Sequence, residues 1–358
     1  MIPLATIKAA NATLSTRLPS PICVFLGGTT GIGYFTLQKL VASTVSPKVY
    51  YIGRTPSNAE VVQKRLEEIN PKGTYIFVQC DILVIKNINK ACEEILQKEK
   101  EINLLWLSAG MFRIGHPVTF MPLPYYTDTP DGLNFMAAIS YFSHMKFVIN
   151  LLPLLKASAA NGHFSRVIRI LAGGMEWGMN PNDLEMSKSY FFTSRLHHVT
   201  STTVALDYLA KENPEISFIH ASAGSVKTEG QDMPGVFGFL VRTVLWVAGR
   251  WILIPADESG ERNLFNATSE IYPASKNAEE VIALLGGEGK GEGEEVAVGL
   301  DGVKGSGCYT IHANGTAKSG KKVLLEYRET GFREKFWEHT LSVYKRIEES
   351  YEQEAGTA

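Results

Sequence analysis

The chain is short of cysteine and of net charge. Four cysteines, Cys23, Cys80, Cys92 and Cys308, stand in 358 residues, and no two form a C-x-x-C pair. That spacing argues against a disulfide framework or a metal centre, so they are read as buried reduced thiols and no metal ligand is named. Lys plus Arg number 35 and Asp plus Glu 37, for a net charge of −2. No electrostatic case arises for a nucleic-acid or acidic-membrane partner. Heptads, collagen periods and strong repeats are missing. The first 20 residues hold no apolar signal core, which points to a cytoplasmic protein.

Long uninterrupted apolar runs are missing too. The most hydrophobic stretch, 236–255, is broken by Arg242 and Arg250, so it falls short of the ~18 residues a membrane span needs. It is read as a buried or interfacial helix and, over 233–256, as a lid on a greasy small-molecule substrate. Contact with a membrane surface is its other use.

What is there is alternation. Apolar runs at 22–26, 48–52, 74–79, 103–108, 166–171 and 216–221 read as strands. Helical patterns fill 31–43, 59–69, 85–98, 132–155 and 194–212. Parallel strands need crossovers of this length, so the fold class is α/β: a Rossmann-type doubly wound parallel sheet with helices on both faces. The domain is set at 21–275, after an N-terminal arm at 1–20. A Gly- and Glu-rich loop region follows at 276–322. A C-terminal helical extension at 323–358 is either packed on the domain or a separate small unit.

Between the first strand and first helix runs Leu26-Gly27-Gly28-Thr29-Thr30-Gly31-Ile32-Gly33. Glycines here let the backbone turn and approach a pyrophosphate, and the helix that follows points free N–H groups at it. Gly27, Thr29, Gly31, Ile32 and Gly33 are therefore cofactor candidates. At the end of strand two stands Arg54, where an NAD site usually carries a carboxylate. An arginine suits the 2′-phosphate, so the expected cofactor is NADP(H) rather than NAD. Asp81 ends strand three, where it can meet the adenine edge or simply form a turn.

These residues resemble the short-chain dehydrogenase/reductase superfamily. The GxxxGxG loop at Gly27, the Asp81 position and Ser108-Ala109-Gly110, in place of the family's Asn-Asn-Ala-Gly, match in order. Ala109 and Gly110 thus join the cofactor candidates. The similarity runs over 21–273. It is closest to a fungal subgroup from secondary-metabolite pathways, through DGLNFMAAISYFSHMKFVINLLPLL from Asp131 and RVIRILAGGMEW from Arg166.

The resemblance implies a Tyr that protonates an alkoxide, a Lys four residues on, a Ser after strand five and an Asn in the long helix. Counted across, the Asn position falls on Ser140, the Ser position on Ala172, the Tyr on Phe191 and the Lys on Arg195. A one-residue slip gives Tyr190 and Ser194. No Tyr-x-x-x-Lys occurs between His163 and Glu212.

The candidates to replace this machinery are Ser140, Tyr190, Arg195 and His198, with His144 and Glu176 behind them. His198 is expected to titrate near neutral pH. Of His197 and His198, at most one is expected to face inward. Three functions remain open. One is an NADP-dependent oxidoreductase on a lipophilic carbonyl or alcohol. The others are a non-redox isomerase, cyclase or dehydratase, and a nucleotide-binding pseudoenzyme. The family commonly pairs through the two long helices, so a homodimer is implied.

Overall fold

The computed structural model describes residues 1–110, 128–185, 191–226, 253–285, 294–312 and 314–357. Among these, eight strands form one sheet in the order β3-β2-β1-β4-β5-β6-β7-β8. The strands are β1 Ile22–Leu26, β2 Lys48–Gly53, β3 Thr74–Gln79, β4 Leu104–Leu107, β5 Arg166–Ile170, β6 Ser217–Ala221, β7 Cys308–Ile311 and β8 Ala317–Lys318. All are parallel except β8, which returns antiparallel along β7. Chain order reverses between β1 and β4, and such a switch point opens a crevice outside the strands' carboxyl ends.

Helices cover both faces. On one lie α1 Leu4–Ala12, α2 Leu14–Arg17, α3 Gly31–Ser43, α4 Pro56–Ile69 and, later in the chain, α8 Ala256–Thr268, around a core that includes Leu37, Leu40, Trp106 and Phe265. On the other lie α5 Ile85–Lys98, α6 Phe135–Ala160 and α7 Phe191–Glu212, around Leu105, Phe142, Met145 and Val204. The short α9 is Ala278–Leu285, and α10 Lys322–Glu329 and α11 Phe332–Thr357 close the chain. α5 illustrates the sequence logic: Ile85, Ile88, Cys92 and Ile95 recur at helical spacing and are buried.

Strands β1 to β6 and helices α3, α5 and α7 fall where alternation puts them. Residues 1–20 form α1 and α2. Asn11 Nδ2 donates to the carbonyl of Glu261 at 3.0 Å, and Arg262 to that of Ile2 at 3.0 Å, so α1 lies on α8. The Gly-rich region departs from an exposed loop. It holds α9, β7 and β8, and β7 pairs with β6 and buries Cys308, Tyr309 and Ile311. Four apolar or aromatic-flanked residues suffice for a strand between two polar turns, and that run is too short to stand out beside a glycine-rich neighbour. Residues 286–293 of that region, and 233–252 of the expected lid, lie outside the described residues. All four cysteines are buried free thiols; burial and the charge of Asp81 push Cys80 up to about 12.

α6 is long and apolar enough to cross a membrane by composition, yet it is mostly buried beneath α5 and α11. Asn134 caps its start, its Oδ1 accepting from the N–H groups of Met136 (2.9 Å) and Ala137 (3.2 Å). The helix then loosens into a π turn over Ala138–Phe142. Two carbonyls of that turn take donors from outside the helix. Ser140 O accepts from Arg169 Nη2 at 3.0 Å, and Phe142 O from the Tyr344 hydroxyl at 2.6 Å.

The C-terminal extension packs on the domain. Arg328 and Arg333 both pair with the buried Asp207 of α7, the latter at 2.9 Å. Trp337 stacks on Tyr208 at 5.4 Å, and Thr340 bonds the Tyr141 hydroxyl at 2.8 Å.

Candidate active site

The loop after β1 fits a phosphate cradle by its clearances. Gly27 adopts φ +92°, and a Cβ there would lie 2.6 Å from the Ala109 nitrogen. A Cβ on Gly33 would meet the Gly27 carbonyl oxygen at 2.1 Å and Ser108 Oγ at 2.6 Å. Only hydrogen fits at either position, so the backbones after β1 and β4 can close on one another. Thr30, the residue before α3, makes no side-chain cap. The first N–H groups of α3, beginning at Gly31 and Ile32, stay available to an anion.

Thr29 lies against Gly53, whose Cβ would touch Thr29 Cγ2 at 2.9 Å. That contact sets Thr29 beside Arg54, which is exposed just past β2 with its carbonyl held by Gln79 Nε2 at 3.1 Å. Asp81 is exposed at the end of β3, and its Oδ1 accepts from the N–H of Leu83 at 3.2 Å. It therefore braces its own turn and faces outward at once. Ala109 is half-buried and Gly110 exposed at the mouth beyond β4. The cofactor candidates thus line the carboxyl edge of β3, β2, β1 and β4 in spatial order.

Beneath the other half of the crevice lies a buried polar layer. Arg169, 1% exposed, projects from β5. Its Nη1 donates to the carbonyls of Leu107 (3.1 Å) and Ile170 (2.9 Å), the last residues of β4 and β5, and its Nη2 to Ser140. Its Nε has no partner among the described residues, and neither ring nitrogen of His198 has one. Burial is the main cause that lowers all these groups. Arg169 falls to about 9 and His198 to about 3, and His144 goes well below its usual range. The Arg169 charge lowers both histidines further, and His197 adds to the effect on His198.

A second chain of polar groups runs along the β5 and β6 ends. The Ala172 N–H reaches His220 Nε2 at 3.4 Å, which leaves the proton on Nδ1. Nδ1 then donates to Thr203 Oγ1 at 2.7 Å, and Thr203 to Glu176 Oε1 at 2.9 Å. The Gly174 N–H also donates to Glu176 Oε1 at 2.9 Å. Glu176 points inward, while its neighbours Met175 (55% exposed) and Trp177 (67%) point out. Thr200 grips the Trp177 backbone twice, at 2.8 Å each.

The short chain dehydrogenase family model matches residues 21–174. An oxidoreductase of Emericella nidulans is 33% identical over 346 residues, covering 96% of this chain and 98% of its own. A second oxidoreductase, from Emericella variicolor, is 31% identical and covers 98% of both chains. The chain belongs to the short-chain dehydrogenase/reductase family. The fold of this short-chain dehydrogenase/reductase is similar to that of NADPH-bound carbonyl reductase from chicken fatty liver. That likeness has a TM-score of 0.53 at 16% identity and covers 84% of this chain and all of the other.

Several readings of the chemical positions change in the structure. His198 does not titrate near neutral pH; desolvation holds it neutral. His197 and His198 are both buried, because α7 is enclosed on most of its circumference from residue 197 onward. Ser140 contributes its main-chain carbonyl to Arg169. Tyr190 lies outside the described residues, and the side chains of Phe191, Ser194 and Arg195 do too, although their backbone is helical. Arg169 and His220 escape a reading of the sequence. Each sits inside a strand pattern, where a polar residue is taken for the solvent-facing alternate.

Proposed function

We propose that the protein is an NADP(H)-dependent oxidoreductase acting on a lipophilic carbonyl compound or the corresponding alcohol. The observation that carries this reading is the clearance at Gly27 and Gly33, which nothing larger than hydrogen fits. Gly27, Thr29, Gly31, Ile32 and Gly33 would hold the pyrophosphate, with Ala109 and Gly110 beside the second ribose. Arg54 would meet the 2′-phosphate and Asp81 the adenine edge.

The chemistry such a cofactor supplies when bound is hydride transfer. On the protein side, His144 and His198 are held neutral, so they can offer a hydrogen bond but no spare proton at neutral pH. Tyr190 is the proposed proton donor, and Arg195 the proposed group over the ribose or the developing oxyanion. Ser140 would fix the far wall through its carbonyl. The exposed pair Met175 and Trp177 beside Ala172 supports a greasy substrate.

The experiment is a titration with NADPH, NADP+ and NADH, following nucleotide fluorescence and thermal stability together. Binding of NADPH well ahead of NADH is the expected result. No response to any of the three would reduce the glycine loop to a tight turn and overturn the reading.

A further inference from the structure

We propose that Arg169 is a fixed positive charge under the nicotinamide end of the crevice, and that it makes the site favour the neutral reduced nicotinamide over the cationic oxidised one. This rests on the cofactor reading above. A dinucleotide anchored at the β1 loop, with its adenine half over β2 and β3, extends its other half over β4 and β5. The Arg169 guanidinium is bound to the terminal carbonyls of those same two strands, Leu107 and Ile170.

The groups that face it do little to cancel its charge. His144 on α6, His198 on α7 and His220 on β6 all lie within reach of its field, and all three are neutral at neutral pH. Glu176 is one side chain further on, 3.9 Å beyond His220 Nδ1 and engaged by Thr203 and Gly174. No carboxylate among the described residues pairs with Arg169; its partners are carbonyl dipoles. A buried charge of this kind acts through a low local dielectric, where a second cation placed nearby is strongly disfavoured. The protein would then bind NADPH, discharge it, and release NADP+ readily, which orients the site toward reduction.

The test is the ratio of dissociation constants for NADP+ and NADPH, measured by fluorescence titration and competition. It is taken for the wild type, Arg169→Lys and Arg169→Met. The wild type is expected to prefer NADPH by about tenfold or more, the scale of one unit-charge interaction in such a site. Arg169→Lys should keep that preference and Arg169→Met should erase most of it. A merely structural role would weaken both nucleotides together and leave the ratio unmoved, which overturns the proposal while the cofactor reading stands. Failure of the wild type to bind either nucleotide removes both. If Arg169→Met does not fold, the wild type decides, and equal affinity for the two forms overturns the proposal.

Discussion

The hydroxyl of Tyr344, near the end of the chain, donates to the carbonyl of Phe142 inside the π turn of α6 at 2.6 Å. Two residues earlier in that turn, the Ser140 carbonyl takes Arg169. The C-terminal helix and the buried arginine therefore brace the same loosened turn from opposite sides. Tyr344→Phe removes this side-chain donor, while the carbonyl keeps its place in the helix ladder. The expected loss is about 0.5–1.5 kcal/mol, read as a lower urea midpoint with an unchanged slope.

Gly33→Ala drives a methyl against the Gly27 carbonyl oxygen. Nucleotide affinity should fall by about tenfold or more, equivalent to ~1.4 kcal/mol. Retained NADPH affinity in a folded variant would remove the loop from the cofactor site.

Arg54 is exposed beside Thr29. Arg54→Asp should weaken NADPH more than NADH and leave the melting temperature of the free protein nearly unchanged. Equal loss for both nucleotides would count against the 2′-phosphate role.

Acid should destabilise the fold early. Burial lowers His197 to about 4 and His198 and His220 to about 3, and it lowers His144 too. The unfolded chain takes up protons on these rings near pH 6.5, where the folded chain does not. Their contribution is therefore complete above about pH 6.5 and is lost as pH falls toward the folded values. Each ring should cost about 1 kcal/mol by pH 5.5. Urea unfolding at pH 7.5 and 5.5 measures the difference, and matching midpoints would contradict the buried neutral assignment.

Tyr141, Phe142 and Tyr208, on the two helices through which the family pairs, are covered by this chain's own α11. Light scattering should give the monomer mass of 39.4 kDa. A mass of twice that value would overturn this expectation.

The glycine loop and the first six strands were legible because each is a local pattern. A short apolar run, a glycine triplet and an amphipathic helix recur in order, and the physics that reads them acts within about ten residues. The buried layer was not legible. Arg169 is charged, and charge in a strand signals solvent unless carbonyls from β4, β5 and α6 converge on it. That convergence depends on a π turn, which apolar periodicity does not register. His197 and His198 were separated by helical geometry, yet α7 is packed on most sides and buries both. β7 was hidden because its pairing partner lies about 90 residues away, beyond a Gly-rich stretch.

The brace from Tyr344 also sets an order of assembly. Every strand of the sheet precedes α11 in the chain, so on the ribosome the layered core can form while its last helix is still being made. Until residues 340–344 emerge, the Tyr141 hydroxyl and the Phe142 carbonyl lack their partners. The π turn over the arginine is then held from one side only. The nucleotide half of the crevice gains its cover once α8 has packed on α3, and the half over Arg169 is braced only when the last helix is made.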